Sequence, residues 1–370
     1  MRIENIHILD NKGFFRRGSI EFGEKIEKID FQDDSSASIE AYLIPGLIDI
    51  HTHGAMKGDH SDGSPEKMKE MGQYYARNGV TSFLATTMTY NEQKISDAMK
   101  NIAEYERPEN GAKCIGINME GPFLSHEKKG AHLAEALLSP DITMFETLYK
   151  VSKNSIRLVS IAPELPGAMK FIKEVSQLCK ISIAHTAADY STSMEAFGCG
   201  ATHVTHLFNA MNPFMHRDPG VIGAAKDANA FVEIICDGIH SHPAVIRASY
   251  ELFKEQLCMI SDSIRCAGLP DGIYESGGVP ISVTNGKATL QDGTIAGSNI
   301  SLMQGVRCAV NFGIPLAKAV MAATVTNARA IGMQDSIGSL KPKASADMVL
   351  LDKELNVKQV YVDGKILEQM

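Results

Sequence analysis

The sequence predicts an α/β fold, a (β/α)8 TIM barrel with a small β-sandwich domain built from both chain ends. Three observations carry that expectation. Between Ile48 and Ser263 eight apolar runs recur, most of them separated by segments of helical period. Chemistry-bearing residues stand at the C-terminal ends of these runs, where a barrel gathers its reactive groups. The flanks, 1–45 and 340–370, change to short alternating runs with an Asp363-Gly364 turn, the pattern of β hairpins.

Taken in order, "IENIHILD" and "KIEKIDF" alternate as strands and are expected to pair with "ADMVLLD" and "VKQVYVDGK" at the other end of the chain. The first barrel strand is "LIDIHTH". There Ile48, Ile50 and Thr52 alternate with Asp49, His51 and His53, so both imidazoles leave one face at the strand's end. "VTSFLATT", "CIGINMEGP", "IRLVSIAPE", "ISIAHT", "HVTHLF", "FVEIICDGIH" and "LCMISDS" complete the eight. Between them, segments such as "PEKMKEMGQYYARNG" and "AMKFIKEVSQLCK" have the helical period. A hairpin, "VPISVTNGKATLQDGTIAG", turns at Asn285-Gly286 before two closing helices over roughly 300–332. The expected division sets 1–45 plus 340–370 against a barrel of 46–339.

Composition narrows the function classes. With 370 residues, 44% hydrophobic and 22% charged, the chain can bury one large core and a small one. Its start lacks the charged, apolar and cleavage-site order of a signal peptide, and no apolar stretch has bilayer-spanning length, so no membrane partner is expected. Seven scattered cysteines, never spaced as CxxC, indicate neither a disulfide framework nor a zinc-thiolate site and fit a reducing cytoplasm. A net charge of -8 without a basic run argues against nucleic acid.

The strand ends compared side by side offer His51 and His53, Glu120, His185, His206, His240 and Asp262. Any one of them alone reads as an ordinary polar strand end. Together, on six of eight strands, they form a donor set for a divalent metal without thiolate. His203 is the control: an odd step from His206 turns it away, and it reads as structural.

"PGLIDIHTHG", "NMEGPFLS", "KKGAH", "AHT", "THLFNAM", "RDPG", "CDGIH" and "AGLPDG", in this order over nearly the whole chain, resemble the amidohydrolase superfamily and within it the N-acetylglucosamine-6-phosphate deacetylases. The resemblance implies hydrolysis of an amino-sugar phosphate's N-acetyl group to acetate and the free amine. It implies Glu120, His185 and His206 as principal metal ligands, with His51 and His53 holding a second ion bridged by Glu120. One or two divalent ions per subunit, zinc, iron or manganese, follow. Asp262 is implied as the general acid/base. His132, Asn209, Ala210, His240 and Arg217 are implied as substrate contacts, Asn209 and Ala210 through amide and backbone, His240 and Arg217 as the phosphate-binding side chains, with Arg217 reaching the neighbouring site of a homodimer. One departure is visible: Ser261-Asp262-Ser263 stands where such enzymes commonly read Thr-Asp-Ala.

Three other readings stay open at this point. They are the same chemistry on N-acetylgalactosamine 6-phosphate, a different amidase or deaminase of the superfamily, and an inert barrel kept as a binding scaffold. A carboxylated-lysine enzyme would need a lysine where Glu120 stands, and an inert barrel would lack a ligand or the aspartate.

Overall fold

The computed structural model describes residues 1–32 and 40–368; 33–39 and 369–370, which the sequence assigns to the terminal domain, lie outside the described residues. Eight parallel strands follow one another in a single sheet: Leu47–Thr52, Val80–Thr87, Lys113–Met119, Ile156–Ile161, Lys180–Ile183, His203–Val204, Phe231–Ile235 and Leu257–Ile260, here strands one to eight. Ile48 of strand one, Leu158 of strand four and Ile260 of strand eight share one buried cluster with Ala328 and Ile331 of the closing segment. A flat sheet would keep those strands far apart at about 4.8 Å per step, so the sheet is rolled into a barrel.

Local sequence explains the helices. Pro65–Arg77 begins with Ser64, whose hydroxyl accepts from the Lys67 N–H, followed by Pro65 at the first helical position. Met68, Met71 and Tyr75 face the barrel at helical spacing, and Gly79, at φ 80°, ends the turn. Ala168–Val175 likewise buries Phe171, Ile172 and Val175.

The chain ends form one seven-stranded sheet that includes Arg2–Leu9, Phe15–Phe22, Ala41–Pro45, Met348–Asp352 and Val357–Val362. Phe22 and Tyr361 belong to strands with three others between them, yet their rings meet edge to face at 5.4 Å. The sheet therefore folds over itself as a sandwich around Ile8, Ile20, Phe22, Leu43 and Met348. Its other side, with Val349, Leu351 and Val362, joins the barrel's main core.

Four sequence expectations need correction. The closing region is three short helices, Leu302–Asn311, Leu316–Ala322 and Val325–Ala330, not two. Strand six stops at Val204 because His206 and Phe208 take left-handed backbone, at φ 28° and 75°. Strand seven stops at Ile235, well before His240, because the Asp237 carboxylate accepts from the N–H groups of Ile239 and His240 and turns the chain. The second hairpin also gains a third strand, Gly272–Ser276, paired with Val279–Thr284. Among the described residues no helix is long and apolar enough to cross a membrane.

The barrel closes between strands eight and one without a regular ladder among the described residues. At the C-terminal end Asp262 N–H donates to His51 O (2.9 Å) and His53 N–H to Ser263 O (2.8 Å). Deeper in, the buried Asn327 amide donates to both Ile48 O (2.7 Å) and Met259 O (2.8 Å). Asn327→Ala leaves two buried carbonyls short of a donor and is expected to cost about 2–4 kcal/mol, read as a lowered urea midpoint at unchanged m.

Candidate active site

At the C-terminal rim the chain bends sharply to turn side chains inward. His185, His206 and Asp262 follow strands five, six and eight, and all three have left-handed backbone, with φ of 45°, 28° and 48°. Such backbone costs energy in a non-glycine residue and persists only where neighbours hold it. Here Ser125 N–H donates to His185 O (3.0 Å), Leu207 N–H to Glu233 O (2.8 Å) and Ser298 N–H to Asp262 O (2.8 Å).

Glu120 is the centre of the cluster and is buried. Its Oε2 lies 3.0 Å from His53 Nε2 and 3.6 Å from His51 Nε2. Its Oε1 lies 3.3 Å from His185 Nε2 and 3.2 Å from His206 Nε2. One carboxylate thus faces two histidine pairs, and within the pairs the Nε2 atoms stand 3.3 and 3.1 Å apart. In each group, His51–His53–Glu120 and Glu120–His185–His206, the donor atoms lie within 4.8 Å of one another. Asp262 Oδ1 completes the rim at 3.4 Å from both His51 Nε2 and His53 Nε2.

The electrostatics fit a cation. Burial pushes the Glu120 carboxyl up, but the charge of His51 and hydrogen bonds from His132, His185 and His206 outweigh it and hold it well below its usual range. Asp262 is likewise raised by burial yet held down to about 2 by His51 and His53. Burial opposes charge on both His53 and His51, but bonds to Asp262 and Glu120 lift His53 to about 9, and Glu120, Glu233 and Asp262 hold His51 well above its usual range. Protons on imidazole thus balance the buried carboxylates, and a metal ion, which requires those nitrogens deprotonated, supplies the same charge in their place. Ring nitrogens converging on a shared carboxylate, with no thiolate, suit a borderline divalent ion.

Above this floor opens a cleft of ≈ 370 Å³, large enough for a small polar ligand. His132, Asn209, Ala210 and His240 line its walls, and the hairpin insertion contributes Ser276. His132 Nε2 also comes within 3.5 Å of Glu120 Oε2. His240 belongs to neither donor group; its Nδ1 pairs with Asp237 Oδ2 at 2.6 Å. Arg217 is exposed, in contact with the neighbouring His216 ring (2.6 Å), and is absent from the cleft of its own chain.

The amidohydrolase family profile matches residues 42–367. The chain belongs to the amidohydrolase family. An N-acetylglucosamine-6-phosphate deacetylase of Bacillus subtilis (strain 168) is 36% identical over 345 residues, covering 91% of this chain and 87% of the relative. An N-acetylgalactosamine-6-phosphate deacetylase of Escherichia coli O157:H7 is 35% identical over 328 residues, covering 88% and 87%. Among solved amidohydrolase-type structures, a mutant N-acetyl-D-glucosamine-6-phosphate deacetylase of Mycobacterium smegmatis, in complex with N-acetyl-D-glucosamine-6-phosphate, superposes with TM-score 0.92 at 30% identity over 100% of this chain and 99% of that one.

Sequence reading missed the supports of this amidohydrolase site. Glu233, fully buried in strand seven, contacts His51 Nδ1 through Oε2 at 2.9 Å. Its signal was a carboxylate between Val232 and Ile234 in an otherwise apolar run. Glu164, after strand four, accepts from Thr186 Oγ1 (2.5 Å) and Ala187 N–H (2.7 Å), bracing the loop after His185. The serines of the departure at strand eight are not idle. Ser261 Oγ donates to Asp49 Oδ2 (2.6 Å), and Ser263 Oγ donates to Gly54 O (3.0 Å) and lies 2.7 Å from Thr52 Oγ1, so both tie Asp262 to strand one.

His203 is the structural residue its register implied, fully buried against Phe231, with burial pushing its imidazole down to about 3. It is neutral in the fold but titrates near 6.5 when unfolded, so stability is complete above about pH 6.5 and falls as pH drops toward 3. His203→Asn is expected to remove about one proton's worth of acid sensitivity, near 1.4 kcal/mol per pH unit, from urea midpoints measured between pH 4 and 6.

Proposed function

We propose that this chain hydrolyses the N-acetyl group of N-acetyl-D-glucosamine 6-phosphate to D-glucosamine 6-phosphate and acetate. The observation that carries the reading is Glu120 shared between two histidine pairs, with Asp262 facing the same floor from strand eight. Glu120, His185 and His206 would hold a principal divalent ion and His51, His53 and Glu120 a second, of zinc, iron or manganese. Such an ion lowers the pKa of water toward about 7 and polarises a carbonyl.

The chain's own groups do the rest. Asp262, ionised at neutral pH, takes a proton from the attacking water at Oδ1 and returns it to the amide nitrogen as the C–N bond breaks. His132, buried in the wall beside Glu120, holds the amide carbonyl or a ring hydroxyl. Asn209 and the Ala210 backbone meet the phosphate. His240 gives Nδ1–H to Asp237 and presents its other nitrogen to the same anion. Arg217, outside its own cleft, reaches the phosphate of a second copy, so the working form is a cytoplasmic homodimer.

The galacto epimer is the second reading, because a relative named for it is about as similar to this chain as one named for the gluco form. Acetate release from N-acetylglucosamine 6-phosphate, its galacto epimer and the unphosphorylated sugar, with metal-loaded protein, tests both. Fast release from the gluco phosphate alone is expected; release from none of the three rejects the assignment. In the same assay Asp262→Asn should lose at least 100-fold in kcat while keeping its metal. Arg217→Ala should raise KM for the phosphorylated substrate about tenfold or more with a smaller change in kcat.

A further inference from the structure

We infer that Glu233 is a positioning residue that fixes His51 as a metal ligand and thereby decides whether the chain holds a second ion. This rests on the proposed role of His51, His53 and Glu120 as ligands. Glu233 and His51 are both fully buried, and Glu233 Oε2 stands 2.9 Å from His51 Nδ1. A carboxylate there claims the proton on Nδ1, which leaves the Nε2 lone pair directed at Glu120 and His53.

The contrast among the histidines singles this contact out. His185 Nδ1 donates to a neutral carbonyl, Lys128 O, at 2.8 Å. His53 Nδ1 and His206 Nδ1 are buried without a hydrogen-bond partner among the described residues. Each donor group therefore has one anchored imidazole, and only the group with His51 is anchored by a carboxylate side chain. A carboxylate partner fixes the ring's orientation more firmly than a carbonyl does. His51 also lies below the cleft floor, outside its lining, so substrate cannot orient it and the protein must. Glu233 sits on strand seven, and its own carbonyl accepts from Leu207 N–H at 2.8 Å, so its backbone is fixed next to the turn that carries His206. The remaining Oε1 of Glu233 has no partner among the described residues, which leaves the His51 contact as the carboxylate's hydrogen bond there.

Equilibrium dialysis of full-length, chelator-stripped protein against Zn²⁺ tests this. His53→Ala and His185→Ala identify which binding step belongs to which group. Glu233→Gln keeps the shape but loses the charge, and Glu233→Met removes the acceptor altogether. The expected result is two ions for the wild type. The ion of the His51 group should weaken about 10- to 100-fold in Glu233→Gln and be lost in Glu233→Met, while the ion of Glu120, His185 and His206 keeps its affinity. Unchanged binding of both ions overturns the proposal, and so does equal weakening of both, which is what general loss of structure produces. A wild type that takes up a single ion overturns the ligand assignment beneath it instead.

Discussion

The site depends on how the barrel closes. His51 and His53 end strand one, Asp262 follows strand eight, and more than 200 residues of chain separate them. They meet because the two strands are joined at the rim by backbone bonds from Asp262 and His53, and deeper by the two bonds of Asn327. Between these the join is polar: Asp49 with Ser261, and Thr52 with Ser263. A regular ladder would place successive side chains by pleat alone. A seam built from side chains allows Asp262 its left-handed turn, which aims the carboxylate across the floor instead of along the strand. The serines on either side of Asp262 both bond into this seam.

The second constraint is charge. Glu120, Asp262 and Glu233 are buried carboxylates, and an uncompensated buried charge is expensive. The chain meets it with imidazoles rather than with lysine or arginine. An imidazole can give up its proton to an incoming cation, whereas an ammonium or guanidinium would keep its charge and repel it. The same groups that balance these carboxylates are therefore ready to exchange protons for metal. The strained turns at His185 and His206 serve that exchange, because both rings must approach one carboxylate oxygen from different strands.

Much of this was legible in the sequence because it is periodic or positional. Eight apolar runs gave the barrel, and the residues at their ends gave Glu120, His51, His53, His185, His206 and Asp262, which the fold brings within a few ångströms. The terminal runs gave the second sheet, and Asn285-Gly286 and Asp363-Gly364 form the turns expected of them. What failed was the assumption that each strand runs on to its functional residue. His240 was treated as a strand end, but the Asp237 turn puts it on a loop, held by that aspartate and not by the pleat. Glu233, Glu164 and Asn327 went unread for a different reason. Their partners lie on other strands or loops, and a single sequence carries no signal of which buried polar residue meets which.

Under the proposed function, one chain is not sufficient at the end of the cleft that would take the phosphate. Asn209, Ala210 and His240 line the cleft there and would offer neutral or imidazole contacts, whereas a dianionic phosphate is met best by a guanidinium fork. The arginine assigned to that task points away, on a segment where Phe214 and Met215 are also more than half exposed. Two exposed apolar side chains beside a guanidinium suit a protein interface. The proposed second copy resolves both at once: it covers the apolar pair and receives the arginine. Under that reading substrate affinity is tied to assembly, since a monomer would keep its hydrolytic floor and lose its strongest hold on the anion.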